Sequence, residues 1–153
     1  MVMELTSKIF PIQDGDKILA LDLGDQWVGS ALSDATQTLA KPYKTVTLAD
    51  MLSFLTTILQ EEPIKIVVVG HPRTMKGTSS EQTAIVERTF EELQKSFTSA
   101  SWVLWDERLS SKRASQQRSQ KTPAKEERIR AHSIAAAYIL DSYLTFLKAQ
   151  QSL

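Results

Sequence analysis

Asp22 lies one residue from the end of KILALDL (17–23), a run that alternates on both faces but is otherwise apolar after its first residue. Asp106 and Glu107 close a second apolar run, which begins at Trp102. An unpartnered carboxylate at the end of a buried strand costs on the order of several kcal/mol. At Asp22 two things can offset that cost: the backbone amides of Gly24 and Asp25 in the following turn, or a cation. Neighbouring strand residues point to opposite faces, so Asp106 and Glu107 cannot serve one ion in the same way. Glu107 has the longer reach and is the first candidate ligand, with Asp106 second. Arg108 suits a bidentate phosphate contact; the competing assignment is an Asp–Arg pair that staples the loop, worth under about 1 kcal/mol if exposed.

Cationic groups gather near the same segments. The loop from Gly70 to Ser80 precedes a helical pattern, and amides at a helix N-terminus bind phosphate. Arg73 and Lys76 add positive charge there, while His71 reads as a loop residue. An ordinary surface loop is the competing description. From Arg108 to Arg130 eight Lys and Arg residues face only Glu126 and Glu127. Lys112 and Arg113 in that stretch could follow a nucleic-acid backbone, although charged helices are commonly just solvated. Trp27 could stack on an unpaired base or belong to the core.

The elements that must position these groups follow from periodicity. Lys17–Leu23 and Trp27–Leu32 read as a hairpin about the Gly24-Asp25 turn, and Tyr43–Thr47 as a third strand. Leu52, Leu55 and Leu59 set a helical stripe that Pro63 stops. Ile64–Val69 is β-branched and ends at Gly70, as a buried strand should. Val86, Phe90, Leu93 and Phe97 mark a second helix, and Ser79 with Gln82 a capping box before it. Trp102–Trp105 is a short strand. Ser110–Gln120 reads as an exposed helix or mobile loop. A long helix follows, about Lys125 to Lys148, with Ile129, His132, Ala136, Leu140, Tyr143 and Leu147 facing inward. A hairpin followed by alternating helices and strands predicts an α/β fold, a mixed sheet with helices on its faces. Ligands in such sheets bind beyond the carboxyl ends of the parallel strands. Asp22, Gly70 and Asp106-Glu107 all fall at such ends.

Composition narrows the classes. The chain of 153 residues, with 18 Lys and Arg against 18 Asp and Glu, has formal net charge zero. A global positive field for nucleic acid is therefore absent, and any such binding is local. No cysteine is present, so disulfide frameworks and thiolate metal sites are excluded. No run spans a bilayer, and the first residues lack a signal-peptide pattern. A cytoplasmic protein is expected, with residues 1–16 a tail and 17–150 one domain.

In order, the segments DLGDQWVGSALSD, VVVGHPRTMKGTSSEQT, WDERLSS and AHSIAAAYILDSYL resemble those of the YqgF family, RNase H-like proteins also described as RuvX-like or Holliday junction resolvase-like. The resemblance covers roughly residues 17–147. It implies an RNase H-like fold with a mixed five-stranded sheet and helices on both faces. It also implies a nuclease that processes the 5′ end of the 16S rRNA precursor in ribosome biogenesis. In that setting Mg²⁺ or Mn²⁺ would be held by Asp22 and Glu107, since carboxylates that share divalent ions can activate water and stabilise a leaving oxygen. The family pattern Val-Asp-x-x-Ala-Ala places an aspartate at the start of the last helix. Here His132 takes that position, as a third ligand suited to Mn²⁺ or as a packed histidine in a weakened site. A second departure is Asp25-Gln26-Trp27, where the family usually carries basic residues. The expected partner is structured RNA, with branched DNA as the alternative, and the protein is a monomer or homodimer. A non-catalytic nucleic-acid-binding relative is the reading from another class. An actin-like ATPase is disfavoured, because the chain is too short for two lobes.

Overall fold

In a computed structural model the described residues are 11–72, 81–107 and 124–151. The strands are β1 (Lys17–Leu23), β2 (Trp27–Ser33), β3 (Ala40–Thr47), β4 (Ile64–His71) and β5 (Ser101–Asp106). The helices are α1 (Met51–Glu61), entered through a 3₁₀ turn at Leu48–Asp50, α2 (Glu81–Ser96) and α3 (Lys125–Gln151). The strands form one sheet in the order β3-β2-β1-β4-β5. β1–β2 and β2–β3 are antiparallel, while β1–β4 and β4–β5 are parallel. This is the mixed five-stranded sheet with helices on both faces that the sequence predicts.

β1 and β4 lie at the centre, and both their faces are buried. Ile18, Ala20, Ile66, Val68, Val103 and Trp105 point to α3, where Ala136, Leu140 and Tyr143 cover them. Leu19, Leu21, Val67, Val69 and Leu104 point to the layer of α1 and α2. Each such side chain contributes about 1.5–3 kcal/mol when fully buried, so this centre is the rigid part of the molecule. The N-terminal segment is tied to the β2–β3 turn: Gly15 donates to the Ala35 carbonyl at 2.9 Å, and Ile12 packs against the α3 layer.

Several local expectations need correction. β3 begins at Ala40 rather than Tyr43, because Ser33 pairs with Ala40 and Ala31 with Pro42. The register shifts between Gly29 and Ala31, so Tyr43 and Lys44 oppose Ser30 alone. The buried Ser30 hydroxyl satisfies that bulge, donating to the Lys44 carbonyl at 2.6 Å and accepting from its amide at 3.1 Å. Pro42 is tolerated because β3 is an edge strand. The inner stripe of α1 is Met51, Leu55 and Ile58, and Leu52 is exposed. Thr47 caps the 3₁₀ turn by accepting from the Asp50 amide, which sets α1 in a different phase from the leucine pattern. His71 is no loop residue: it is the last residue of β4 and fully buried. The stretch Ser110–Gln120 and the cap at Ser79 lie outside the described residues.

α3 lies across the strands, and two glycines set its height. A Cβ at Gly29 of β2 would overlap the His132 carbonyl and lie 2.7 Å from the Ser133 nitrogen. A Cβ at Gly70 of β4 would lie 2.6 Å from Ile139 Cδ1. Further along, Trp105 of β5 donates from Nε1 to Ser142 Oγ at 2.8 Å and meets Tyr143 edge-on at 5.2 Å. The seven helical steps from His132 to Ile139 span about 10 Å. That matches two interstrand spacings, about 10 Å, the distance from β2 to β4. α3 thus crosses from β2 at Gly29 over β4 at Gly70 to β5 at Trp105. Gly29→Ala should therefore lift α3 and destabilise the fold by at least about 2 kcal/mol, measured by urea denaturation with α-helical circular dichroism retained.

Candidate active site

One register row is Thr45–Gly29–Asp22 on one side, through the β3–β2 and β2–β1 pairs, and Gly70–Trp105 on the other, through β4–β5. Leu21 pairs with Val69, so Asp22 comes next to Gly70. Asp22 follows Ile18 and Ala20 on the α3 face, the only carboxylate in a row otherwise filled by glycines, threonine and tryptophan. Glu107 is the first residue after β5, and its carboxylate lies on the α3 face, beside Gly70 and Ile139. Its side chain leans back over Gly70, where an added Cβ would come 2.9 Å from Glu107 Oε2. Glycine at position 70 is the space into which this carboxylate folds toward Asp22.

The electrostatics agree with that convergence. Burial first, then the nearby charges of Asp22 and Asp106, push the Glu107 carboxyl up from its ordinary 4.5 to about 7. Asp22 and Glu107 are close enough to resist double ionisation, which is the condition a divalent cation relieves. Asp106 stands in register with His71 on the opposite face. There the buried His71 has its Nε2 3.2 Å from Glu87 Oε1 of α2. Thr83, also fully buried, donates from Oγ1 to the Pro72 carbonyl. This polar group behind the rim was not foreseen from the sequence.

His132 is half-buried near the start of α3. Its ring lies beside the β1–β2 turn: a Cβ at Gly24 would be 3.6 Å from Cε1 and 3.7 Å from Nδ1. His132 is thus brought to the same rim as Asp22. Among the described residues, however, no group of three or more His, Asp or Glu side chains is placed to hold one ion. What the rim offers is a pair of carboxylates with a histidine to one side. Two carboxylates suit Mg²⁺ or Mn²⁺, hard cations that retain several waters and take substrate oxygens as further ligands. Arg73, Lys76, Arg108, Lys112 and Arg113 lie outside the described residues. Trp27 is half-buried at the start of β2. Gly29 and Gly70, which admit α3 and Glu107, went unrecognised as site residues; the available signal was glycine within otherwise good strands.

A mixed sheet of this order, with acidic groups at the carboxyl ends of its central strands, defines an α/β protein of the RNase H-like class. The sequence matches the RuvX family, described as Holliday junction resolvase, over residues 16–146, and the chain belongs to that family. It is 36% identical over 133 residues to a protein of Rubrobacter xylanophilus, covering 84% of this chain and 91% of that one. It is 36% identical over 135 residues to a protein of Carboxydothermus hydrogenoformans, covering 85% and 96%. A Chlorobaculum tepidum protein is 30% identical over 131 residues, covering 84% and 92%. All three carry the name "Putative pre-16S rRNA nuclease". Among the described residues no helix is long and apolar enough to cross a membrane.

The raised Glu107 pKa has a definite consequence for the metal-free protein. The folded state binds more protons than the unfolded state between pH 4.5 and about 7. Glu107 therefore contributes stability that is complete below pH 4.5 and lost as pH rises through 7. The loss amounts to at most about 3 kcal/mol. In EDTA, Glu107→Gln should flatten this part of the stability–pH curve relative to wild type, and a divalent ion should restore wild-type stability at pH 7.5.

Proposed function

We propose that this protein is a divalent-metal-dependent endonuclease that cleaves structured RNA, namely the 5′ end of the 16S rRNA precursor. The observation that carries this reading is the Glu107 carboxylate folded over Gly70, beside Asp22 on the neighbouring strand, its carboxyl held up by burial and then by the charges of Asp22 and Asp106. The names of the relatives supply the substrate. Asp22 and Glu107 would hold Mg²⁺ or Mn²⁺; when bound, such an ion lowers the pKa of its water and offsets charge on the phosphate. Asp22 is fixed by a central strand and acts as anchor. Glu107, whose carboxyl is held up in the metal-free protein, would be the second ligand and would ionise when it holds the ion. Asp106 adds negative charge from behind the rim, and His132 borders the site beside Gly24. Its imidazole is the third ligand in this proposal, once the substrate draws the rim together. A cytoplasmic location follows from this substrate, and a monomer is sufficient for a single cut.

Two other readings rest on specific observations. The family description favours branched DNA, which requires a symmetric dimer to cut two strands. The lack of a three-ligand group among the described residues favours a non-catalytic RNA-binding relative.

Cleavage of a 5′-extended 16S precursor RNA and of a four-way DNA junction, with Mg²⁺ and with Mn²⁺, separates the three. Asp22→Asn should abolish RNA cleavage and the rise in Tm produced by the ion. Because it removes repulsion from Glu107, it should leave the metal-free Tm unchanged or higher. Loss of cleavage in His132→Asp identifies a working histidine ligand, and a large gain identifies a degenerate natural site. Absence of cleavage of either substrate with both ions overturns the catalytic reading.

A further inference from the structure

The β1–β2 turn separates the carboxylate rim from a second concavity. Asp22 points to the α3 side, whereas Leu23, the next residue, points to the α1/α2 side. There Leu23, Leu48, Ile85 and Val86 form the walls of a cavity of about 180 Å³, with Asp25 and Gln82 also lining it. Leu48 and Ile85 are among the few large apolar residues left exposed, at 40% and 47%. Leu48 and Ile85 thus give the mouth of the cavity an apolar lip. The turn that forms its edge is fixed: Gly24 donates to the Trp27 carbonyl at 2.9 Å, and Leu48 donates to that of Gln26 at 3.1 Å. Neither Asp25 nor Gln82 has a side-chain hydrogen bond or ion pair among the described residues.

The chemistry of this cavity selects its occupant. Its size is below the roughly 300–1,000 Å³ of pockets for drug-sized ligands, which leaves room for one flat ring system. The walls are apolar, as stacking requires. A carboxylate on the edge repels phosphate, so the occupant is the neutral part of a nucleotide. Asp25 accepts hydrogen bonds only, and its two oxygens match two adjacent donors. Among the bases, guanine alone presents such a pair, N1–H and the 2-amino group, on its Watson–Crick edge. The Gln82 amide can both donate and accept, and so can complete that edge at O6. Single-stranded RNA is commonly read in this way, by a splayed base held between apolar surfaces and hydrogen-bonded on its Watson–Crick edge.

We propose that the cavity bounded by Asp25, Gln82, Leu48 and Ile85 is a specificity pocket for an unpaired guanine close to the bond cleaved. The ligand class rests on the proposed function, in that the bound chain is RNA. The guanine preference rests on the cavity alone. Asp25 and Gln82 are specificity residues and take no part in the chemical step.

The test is binding in EDTA, which removes cleavage from the measurement. Fluorescence anisotropy compares labelled seven-residue oligouridylate with the same oligomer carrying one central guanosine, adenosine or inosine. The guanosine oligomer should bind about tenfold more tightly than the adenosine one. Inosine, which lacks the 2-amino group, should fall between them. Asp25→Asn should erase the guanosine preference, and Ile85→Ser should weaken guanosine binding without changing the urea midpoint. Asp22→Asn should keep the preference in full. Equal affinity for all four oligomers, a preference that survives Asp25→Asn, or no binding at low salt overturns the pocket. Loss of the pocket with precursor cleavage intact leaves the nuclease reading standing; guanosine selectivity without cleavage under either ion removes the nuclease and keeps the pocket.

Discussion

Repulsion between Asp22 and Glu107 is the constraint around which the rim is organised. Two carboxylates on one face of a sheet separate unless their strands cannot move. Here the strands belong to a centre in which Leu19, Ala20, Leu21, Val67, Val68 and Val69 are all fully buried. Displacing β1 from β4 would expose apolar surface worth several side chains at about 1.5–3 kcal/mol each. That exceeds the few kcal/mol by which burial, and then the charges of Asp22 and Asp106, disfavour an ionised Glu107 carboxyl. The core thus holds the strand ends that carry this rim in place. In the proposed function, this fixed rim is what a divalent ion would meet.

The same rim must also accept a helix. α3 crosses directly over the row that contains Asp22, and it does so because the positions flanking Asp22 are Gly29 and Gly70. The two glycines have separate tasks. Gly29 lets the α3 backbone approach at His132, whereas Gly70 makes room for both Ile139 and the Glu107 carboxylate. The large residue of the row, Trp105, sits at the far end and is used as an anchor through Ser142 and Tyr143. Graded side-chain size along one row therefore fixes the height of the helix, and with it the place of His132 beside the β1–β2 turn.

Much of this was legible in the sequence, for reasons that differ from residue to residue. Asp22 and Glu107 were legible because apolar alternation marks strand ends, and parallel strands deliver their carboxyl ends to one side. The separation of Asp106 from Glu107 followed from the two-residue period alone. Other features are tertiary and leave little local trace. A glycine in a strand shows that something approaches, but not which helix. His71 was misread because Gly-His-Pro has turn chemistry, yet β4 extends through it to meet Asp106 in β5. Leu52 was misplaced because a 3₁₀ turn capped by Thr47 precedes α1, shifting the buried stripe to Met51, Leu55 and Ile58. The proximity of His132 to the rim could be inferred from the helical stripe, but its distance from the carboxylates could not.

Charge distribution ties recognition to the site itself. Formal net charge is zero, so the chain has no overall field to gather polyanions at long range, and exposed charges are screened beyond about 10 Å at ordinary salt. In the proposed function, attraction for a phosphodiester would arise where the charge is local: a cation held at the rim and the basic stretch from Arg108 to Arg130. The β1–β2 turn then has opposite consequences on its two sides. On the α3 side, the acidic groups of the proposed site would attract phosphate only through a bound cation. On the other side, Asp25 remains a bare carboxylate that phosphate avoids and a base edge can use. In the proposed readings, an RNA strand crossing this turn would be oriented by both effects, its backbone toward Asp22 and a base toward Leu23. Placement of the scissile bond then depends on local complementarity, because the net charge supplies no long-range steering.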